Sequence, residues 1–245
     1  MAGFAGRRVW IIGASAGMGE AVARALSAEG ARLILSARDE AALRRLAADC
    51  GGAEVLPLDL ARPETLADAV AYLRAGPPLD ALICTAAVYD PAPVAEIDPQ
   101  QAALMVQINI LGTLEVARTC PPLLRDGGQF VLFGSVAGWT GLPGGQPYSA
   151  TKAAVNNLAE TLAAELHPRV DVRLVCPGFV RSRLTEKNTF RMPAIISAEE
   201  AATHVLRGLR GRRFLIHFPK RFTLAVALLR ILPRGLALRL TRRMG

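Results

Sequence analysis

Short apolar runs and amphipathic stretches alternate along this chain with a regularity that sets the fold class. Runs rich in Val, Ile and Leu fall near residues 7–12, 32–36, 53–58, 80–85, 129–134, 170–176 and 213–217. Between them, at 18–29, 39–49, 63–75, 99–118, 148–166 and 198–210, apolar residues recur at helical spacing. The apolar runs read as strands buried on both faces, and the intervening segments as helices that cover them. Such alternation predicts an α/β fold: a doubly wound parallel sheet of about seven strands with right-handed crossovers and helices on both faces. A chain of 245 residues that is 51% apolar can form one such domain, and no internal repeat or low-complexity linker divides it.

The first run ends in Gly13-Ala-Ser15-Ala16-Gly17-Met18-Gly19, where the first helical segment opens. Strand, glycine-rich turn and helix, in that order, is the context a dinucleotide site requires. Gly13 permits the tight turn. Gly17 and Gly19 let the backbone approach a pyrophosphate, whose charge then faces the N–H groups opening the helix. A second constellation is Ser135 followed by Tyr148-Ser-Ala-Thr-Lys152. A phenol and an ammonium at i and i+4 share one helix face, about 6 Å apart at the backbone. A fixed positive charge draws the phenol down from about 10, towards the range in which it trades protons near neutral pH. Alone, Tyr-x-x-x-Lys is common on solvated helices; what precedes it gives it weight.

Gly-x-x-x-Gly-x-Gly followed by Ser…Tyr-x-x-x-Lys resembles the classical short-chain dehydrogenase/reductase family, from about Arg7 to Phe218. Further stations stand in the family's order. Asp59 follows Leu58 at the end of the third run, Asn109 lies in Gln107-Ile-Asn109-Ile, and Pro177-Gly178-Phe179-Val180 follows the sixth run. The resemblance implies a Rossmann-like domain over residues 1–218 and an oxidoreductase that interconverts a carbonyl and an alcohol by hydride transfer. It implies Tyr148 as acid/base and Lys152 as the group that lowers its pKa and holds the nicotinamide ribose. Ser135 would hydrogen-bond the substrate oxygen, where charge builds in the transition state. Asn109 would support a water linking Lys152 to solvent. The implied cofactor contacts are Gly13, Ser15, Ala16, Gly17, Met18, Gly19, Arg38, Asp59, Leu60, Ala86, Asn109, Tyr148, Lys152, Pro177, Gly178 and Val180. A small-molecule carbonyl or alcohol substrate and a homo-oligomer go with this reading. A non-catalytic NADP-binding regulatory or scaffold protein is the alternative, but a pure binder has no need of the phenol.

Two positions depart from the family pattern. Ile12 stands where the family has a threonine before the first glycine, and Cys84-Thr85-Ala86-Ala87 replaces its Asn-Asn-Ala-Gly. Cofactor choice is read from Ser36-Ala37-Arg38 after the second run. An acid that would hold a ribose 2′-hydroxyl is missing at Ala37, and Arg38 can fork onto a 2′-phosphate, so NADP is favoured over NAD. The bland alternative pairs Arg38 with Asp39 or Glu40. The substrate lid is expected over 181–196, where Leu184, Phe190, Met192, Pro193, Ile195 and Ile196 alternate with Arg181, Arg183, Lys187 and Arg191, suggesting an apolar substrate. Thr140–Gln146 should form the opposite rim.

Cys50, Cys84, Cys120 and Cys176 are scattered without Cys-x-x-Cys and read as small core residues of a reducing compartment. His167, His204 and His217 are too dispersed for a metal site. Met1–Gly6 runs straight into the first strand, which makes the cytoplasm the default location. The whole chain carries +8, yet residues 1–200 hold 18 basic against 21 acidic residues; the 45 residues after Glu200 hold 11 Lys/Arg and no acid. Within that tail, Phe222–Leu229 is almost wholly apolar but too short to span a bilayer. The tail, 219–245, suits peripheral attachment to an anionic membrane surface; the alternative is packing on the domain or on a second subunit. Nucleic acid is disfavoured because the basic residues are interleaved with bulky aliphatics.

Overall fold

The structure, a computed structural model, describes residues 3–183, 185–188 and 192–242. Its centre is β1 (Arg8–Ile12), where Val9 and Ile11 face one side of the sheet while Trp10 and Ile12 face the other, all buried. The same two-sided burial holds in β2 (Arg32–Ser36), β4 (Leu79–Cys84), β5 (Leu124–Phe133) and β6 (Val170–Pro177). A short β3 (Glu54–Val55) and β7 (Leu215–Phe218) close the edges, giving seven parallel strands in the order β3-β2-β1-β4-β5-β6-β7. The doubly wound sheet is therefore as the alternation predicts.

One face is covered by α1 (Gly17–Ala28), α2 (Glu40–Asp49) and α7 (Ala198–Arg210). The other is covered by α3 (Pro63–Arg74), α5 (Thr113–Thr119) and α6 (Tyr148–Glu165). Each fully buried Leu or Ile in these layers contributes about 1.5–3 kcal/mol relative to exposure. The strand order reverses between β1 and β4, so a crevice opens at their carboxyl ends, between the Gly13 turn and Thr85. All four cysteines are buried and free.

Three elements differ from expectation. The run at 53–58 yields only Glu54–Val55, because Pro57 brings no N–H to the ladder; Leu56 and Leu58 still donate singly to Leu35 and Ala37. The helix expected over 99–118 is broken into α4 (Pro99–Met105), a π-helical turn over Val106–Gly112, and α5. Such widened turns are found mostly at functional sites, and this one carries Asn109. The tail forms α8 (Lys220–Ile231) and α9 (Arg234–Thr241). Thr223 and Val226 of α8 are buried, Val226 in the same core as α6, and the Phe222 ring lies 5.3 Å from that of Phe179. Packing on the domain, the alternative reading, thus holds for the inner face of α8.

Candidate active site

The glycine turn is held from two sides. Gly13 and Ala14 N–H donate to Ser36 O, while Thr85 and Ala86 N–H donate to Ile12 O. Thr85 Oγ1 also donates to Ile12 O and Gly13 O, both at 3.0 Å. The hydroxyl missing at Ile12 is thus supplied by Thr85 from the neighbouring strand. Gly13 has φ +94°, and a Cβ on Gly19 would lie 2.1 Å from Gly13 O. Both positions exclude a side chain. Ala87 needs none of glycine's freedom, since Ala194 is the one non-glycine with positive φ among the described residues.

Helix α1 opens at Ala16 with no side-chain cap, as α3, α5, α6, α8 and α9 also do; α1 alone opens directly out of the Gly13 turn. Uncapped N–H groups behind a close-packed glycine turn fit a dinucleotide's phosphates. Ser15, Ala16, Gly17 and Met18 are partly exposed around this opening. At the adenine end Arg38 is exposed, and among the described residues it makes no ion pair, because Asp39 caps α2 and Glu40 pairs with Arg44. The Asp59 carboxylate accepts from Ala61 N–H at 2.9 Å, and Leu60 is buried against Gly112. Ala86 is partly exposed beside Gly13.

The residues expected to be catalytic, Ser135, Tyr148 and Lys152, come together at the other end of the crevice. Ser135 lies two residues past the end of β5, capping the turn at Val136–Gly138, and Tyr148 and Lys152 occupy adjacent turns of α6. Lys152 is buried; its Nζ donates to Phe133 O at 2.7 Å and lies 5.7 Å from the Tyr148 ring centroid. Burial pulls its pKa down to about 8, opposed by Cys84 and Cys176. Those thiols are themselves pushed up by burial, to about 11 and about 12, so they stay neutral.

The expected lowering of the Tyr148 pKa is not what this surrounding produces. Tyr148 keeps some accessible surface, yet the protein packed around it pushes the phenol well above its ordinary value. Tyr89 adds to that push, a hydrogen bond with Ser135 opposes it, and Cys176 adds a smaller share. Desolvation of the charged form dominates, and the nearby Lys152 ammonium is directed to Phe133 O.

Asn109 is buried, but its amide is spent on protein partners. Oδ1 accepts from Val88 N–H at 2.8 Å, and Nδ2 donates to Val88 O at 2.9 Å and Thr151 Oγ1 at 3.1 Å. It therefore ties the loop after β4 to α6. Beyond β6, Gly178 N–H donates to Phe218 O at 2.7 Å, and Val180 bridges Ile196, pinning both ends of the lid segment. Pro177 closes β6. Leu184, Phe190 and Arg191 of the expected lid lie outside the described residues.

Three contributors escape the sequence reading. Asn156, one turn after Lys152, donates Nδ2 to Ser135 O at 3.1 Å. A Cβ on Gly134 would lie 1.9 Å from Asn156 Oδ1, so that glycine and this amide require each other. The i, i+4, i+8 spacing of Tyr148, Lys152 and Asn156 is the signal that could have found it. Thr151 donates to Tyr148 O at 2.8 Å. Tyr89 packs edge-on to Tyr148, ring centroids 4.6 Å apart, and its hydroxyl donates to Asn188 Oδ1 at 2.6 Å.

A doubly wound parallel sheet with a glycine turn at its switch point and Ser, Tyr and Lys converging beside it defines a nucleotide-linked oxidoreductase fold. The short chain dehydrogenase family model matches residues 7–192. The 11-beta-hydroxysteroid dehydrogenase A of Sesamum indicum is 30% identical, over 86% of this chain and 68% of its own. A short chain dehydrogenase from Burkholderia cenocepacia, solved in complex with NADP, superposes with a TM-score of 0.86 at 27% identity, covering 98% of this chain and 99% of that one. A short chain dehydrogenase/reductase from Burkholderia phymatum, solved with NAD, gives a TM-score of 0.82 at 26% identity, over 93% and 94% of the two chains. The chain belongs to the short-chain dehydrogenase family.

Proposed function

We propose that this chain is an NADP(H)-dependent oxidoreductase that interconverts a carbonyl and an alcohol on an apolar small molecule, with Tyr148 as the acid/base. The observation that carries the reading is the convergence of Ser135, Tyr148 and Lys152 at the end of the crevice that the Gly13 turn opens. When bound, a nicotinamide dinucleotide supplies hydride to, or accepts it from, the substrate carbon. Tyr148 gives its proton to the carbonyl oxygen in reduction and takes it back in oxidation. The surrounding protein keeps the free Tyr148 phenol protonated, the state that donates in reduction, while making it a weaker acid than an ordinary tyrosine. Ser135 donates to the substrate oxygen as negative charge builds on it. Lys152, a cation flanked by neutral thiols, attracts the ribose hydroxyls and the anionic cofactor as a whole. Tyr89 offers aromatic surface beside Tyr148, which suits an apolar substrate. The four free thiols are in keeping with a reducing, cytoplasmic setting.

NADPH oxidation against a panel of ketones and aldehydes tests the reaction; consumption with none of them favours the scaffold alternative. Arg38 supports the NADP preference, being exposed, without an ion pair among the described residues, and adjacent to an alanine where an acid would repel phosphate. The double substitution Ala37→Asp/Arg38→Ala is expected to lower the ratio of kcat/KM for NADPH over NADH about ten- to a hundredfold, the value of one charge-assisted contact. A ratio below one in the unsubstituted protein overturns the preference.

Lys152 also predicts a pH dependence. With a pKa near 8 it is a cation below that pH and neutral above it. NADPH affinity should therefore be level towards pH 7 and weaken by up to about tenfold per pH unit above about 8, the limit for one linked proton. Fluorescence titrations across that range read it directly, and an affinity constant from pH 7 to 10 would remove the charge from the binding account.

A further inference from the structure

Helices α8 and α9 turn a face outward that the fold does not cover. Eleven large hydrophobic side chains are exposed among the described residues, and six belong to these two helices: Leu224, Leu228, Ile231, Leu236, Leu238 and Leu240. On α8, Arg221, Leu224, Ala225 and Leu228 make one stripe, opposite the buried Thr223 and Val226. The helix thus has two apolar sides, and packing uses only one. On α9 only Ala237 and Thr241 are buried.

Exposed Arg221, Arg230, Arg234, Arg239 and Arg242 border the leucines, and none pairs with a carboxylate among the described residues. No Asp or Glu follows Glu200 in the chain. No helix among the described residues is long and apolar enough to cross a membrane.

We propose that the outer face of α8 and α9 docks on an anionic membrane surface, with the leucines at the headgroup boundary and the arginines on lipid phosphates. Short helices with an apolar stripe bordered by cations lie in the interface plane and do not span it. A second copy of the chain is a poorer occupant. A two-fold contact sets a patch against itself, here arginine against arginine with no acid in the segment to separate them. The proposal stands apart from the catalytic reading, because no catalytic station lies on this face.

Flotation of the full chain with vesicles tests it. Binding is expected with phosphatidylcholine mixed with phosphatidylglycerol, with little on phosphatidylcholine alone, and high salt should release only part of the bound protein. Leu228→Gln/Ile231→Gln/Leu238→Gln should lower the partition at least tenfold while NADPH binding persists. Arg234→Ala/Arg239→Ala, which leaves the leucines in place, should weaken binding and flatten its salt dependence, so the proposal stays testable if the first variant does not fold. Failure of the full chain to bind mixed vesicles overturns the proposal, as does equal binding by the folded leucine variant. So does a dimer in sedimentation that the leucine substitutions dissolve, without vesicle binding.

Discussion

Tyr148→Phe lowers kcat about 10²–10⁴-fold, the usual contribution of a positioned general acid, and leaves the NADPH dissociation constant within about twofold. The substitution removes one hydroxyl and nothing else. The ring keeps its edge contact with Tyr89 and its place beside the Lys152 ammonium, so the helix and the pocket wall stay as they are. Ser135 loses its hydrogen-bond partner but remains oriented, since its Oγ accepts from Ala137 N–H at 3.1 Å and its carbonyl from Asn156. Lys152→Ala should behave differently, raising the dissociation constant and lowering kcat together, because the charge and the contact to the ribose go at once. Steady-state rates with an accepted carbonyl substrate, together with fluorescence titration of NADPH, separate the two patterns. A Phe variant with near-normal kcat would show that the proton comes from elsewhere.

Truncation after Pro219 destabilises the protein by roughly 3–6 kcal/mol, on the basis of two large side chains lost from contact. That is a large part of the 5–15 kcal/mol that holds a typical domain folded. Without α8, Val226 is gone from the core it shares with α6, and Gly178 loses the Phe222 ring packed against it, where a Cβ on Gly178 would sit 2.7 Å from Phe222 Cδ1. His217 also loses Thr223, whose Oγ1 lies 2.7 Å from its Nδ1. A domain ending at residue 218, as the family resemblance implies, would instead close its sheet without the tail. Urea denaturation of both chains decides between them: equal midpoints would place α8 outside the cooperative fold, and loss of a folded baseline would place it inside.

The contrast shows what kind of information the chain carries openly. The sheet was legible because its strands are buried on both faces, so that runs such as Val9–Ile12 stand out from any neighbour. The glycine turn and the Tyr148–Lys152 pair were legible because both are local in sequence. Contacts between distant segments were not. Thr85 stands in for the hydroxyl absent at Ile12 only because β1 and β4 are neighbours in the sheet. The π-helical turn at Asn109 keeps an ordinary helical composition, and its widening is visible only through its partners, Val88 and Thr151. In α8, Phe222 and Val226 look no different from Leu224 and Leu228; which pair meets the domain is decided by where β7 ends. The direction of the Tyr148 shift was misread for a related reason. Residue spacing reveals the neighbouring charge but not the density of protein around the phenol.

The Asn109 amide carries a consequence for how such a site could diversify. By clasping Val88 at one end and Thr151 at the other, it sets the spacing between the loop that bears Tyr89 and the helix that bears Tyr148. That spacing sets how the aromatic wall of Tyr89 meets Tyr148, edge-on with ring centroids 4.6 Å apart. The gauge lies behind the wall, in a side chain that faces only protein. Both Val88 contacts are main-chain, so the clasp is altered by substitution at Asn109 or at Thr151, whose hydroxyl also donates to Tyr148 O. A change at Asn109 therefore reaches the contact between Tyr89 and Tyr148 from behind, through a residue that makes no hydrogen bond to Ser135, Tyr148 or Lys152.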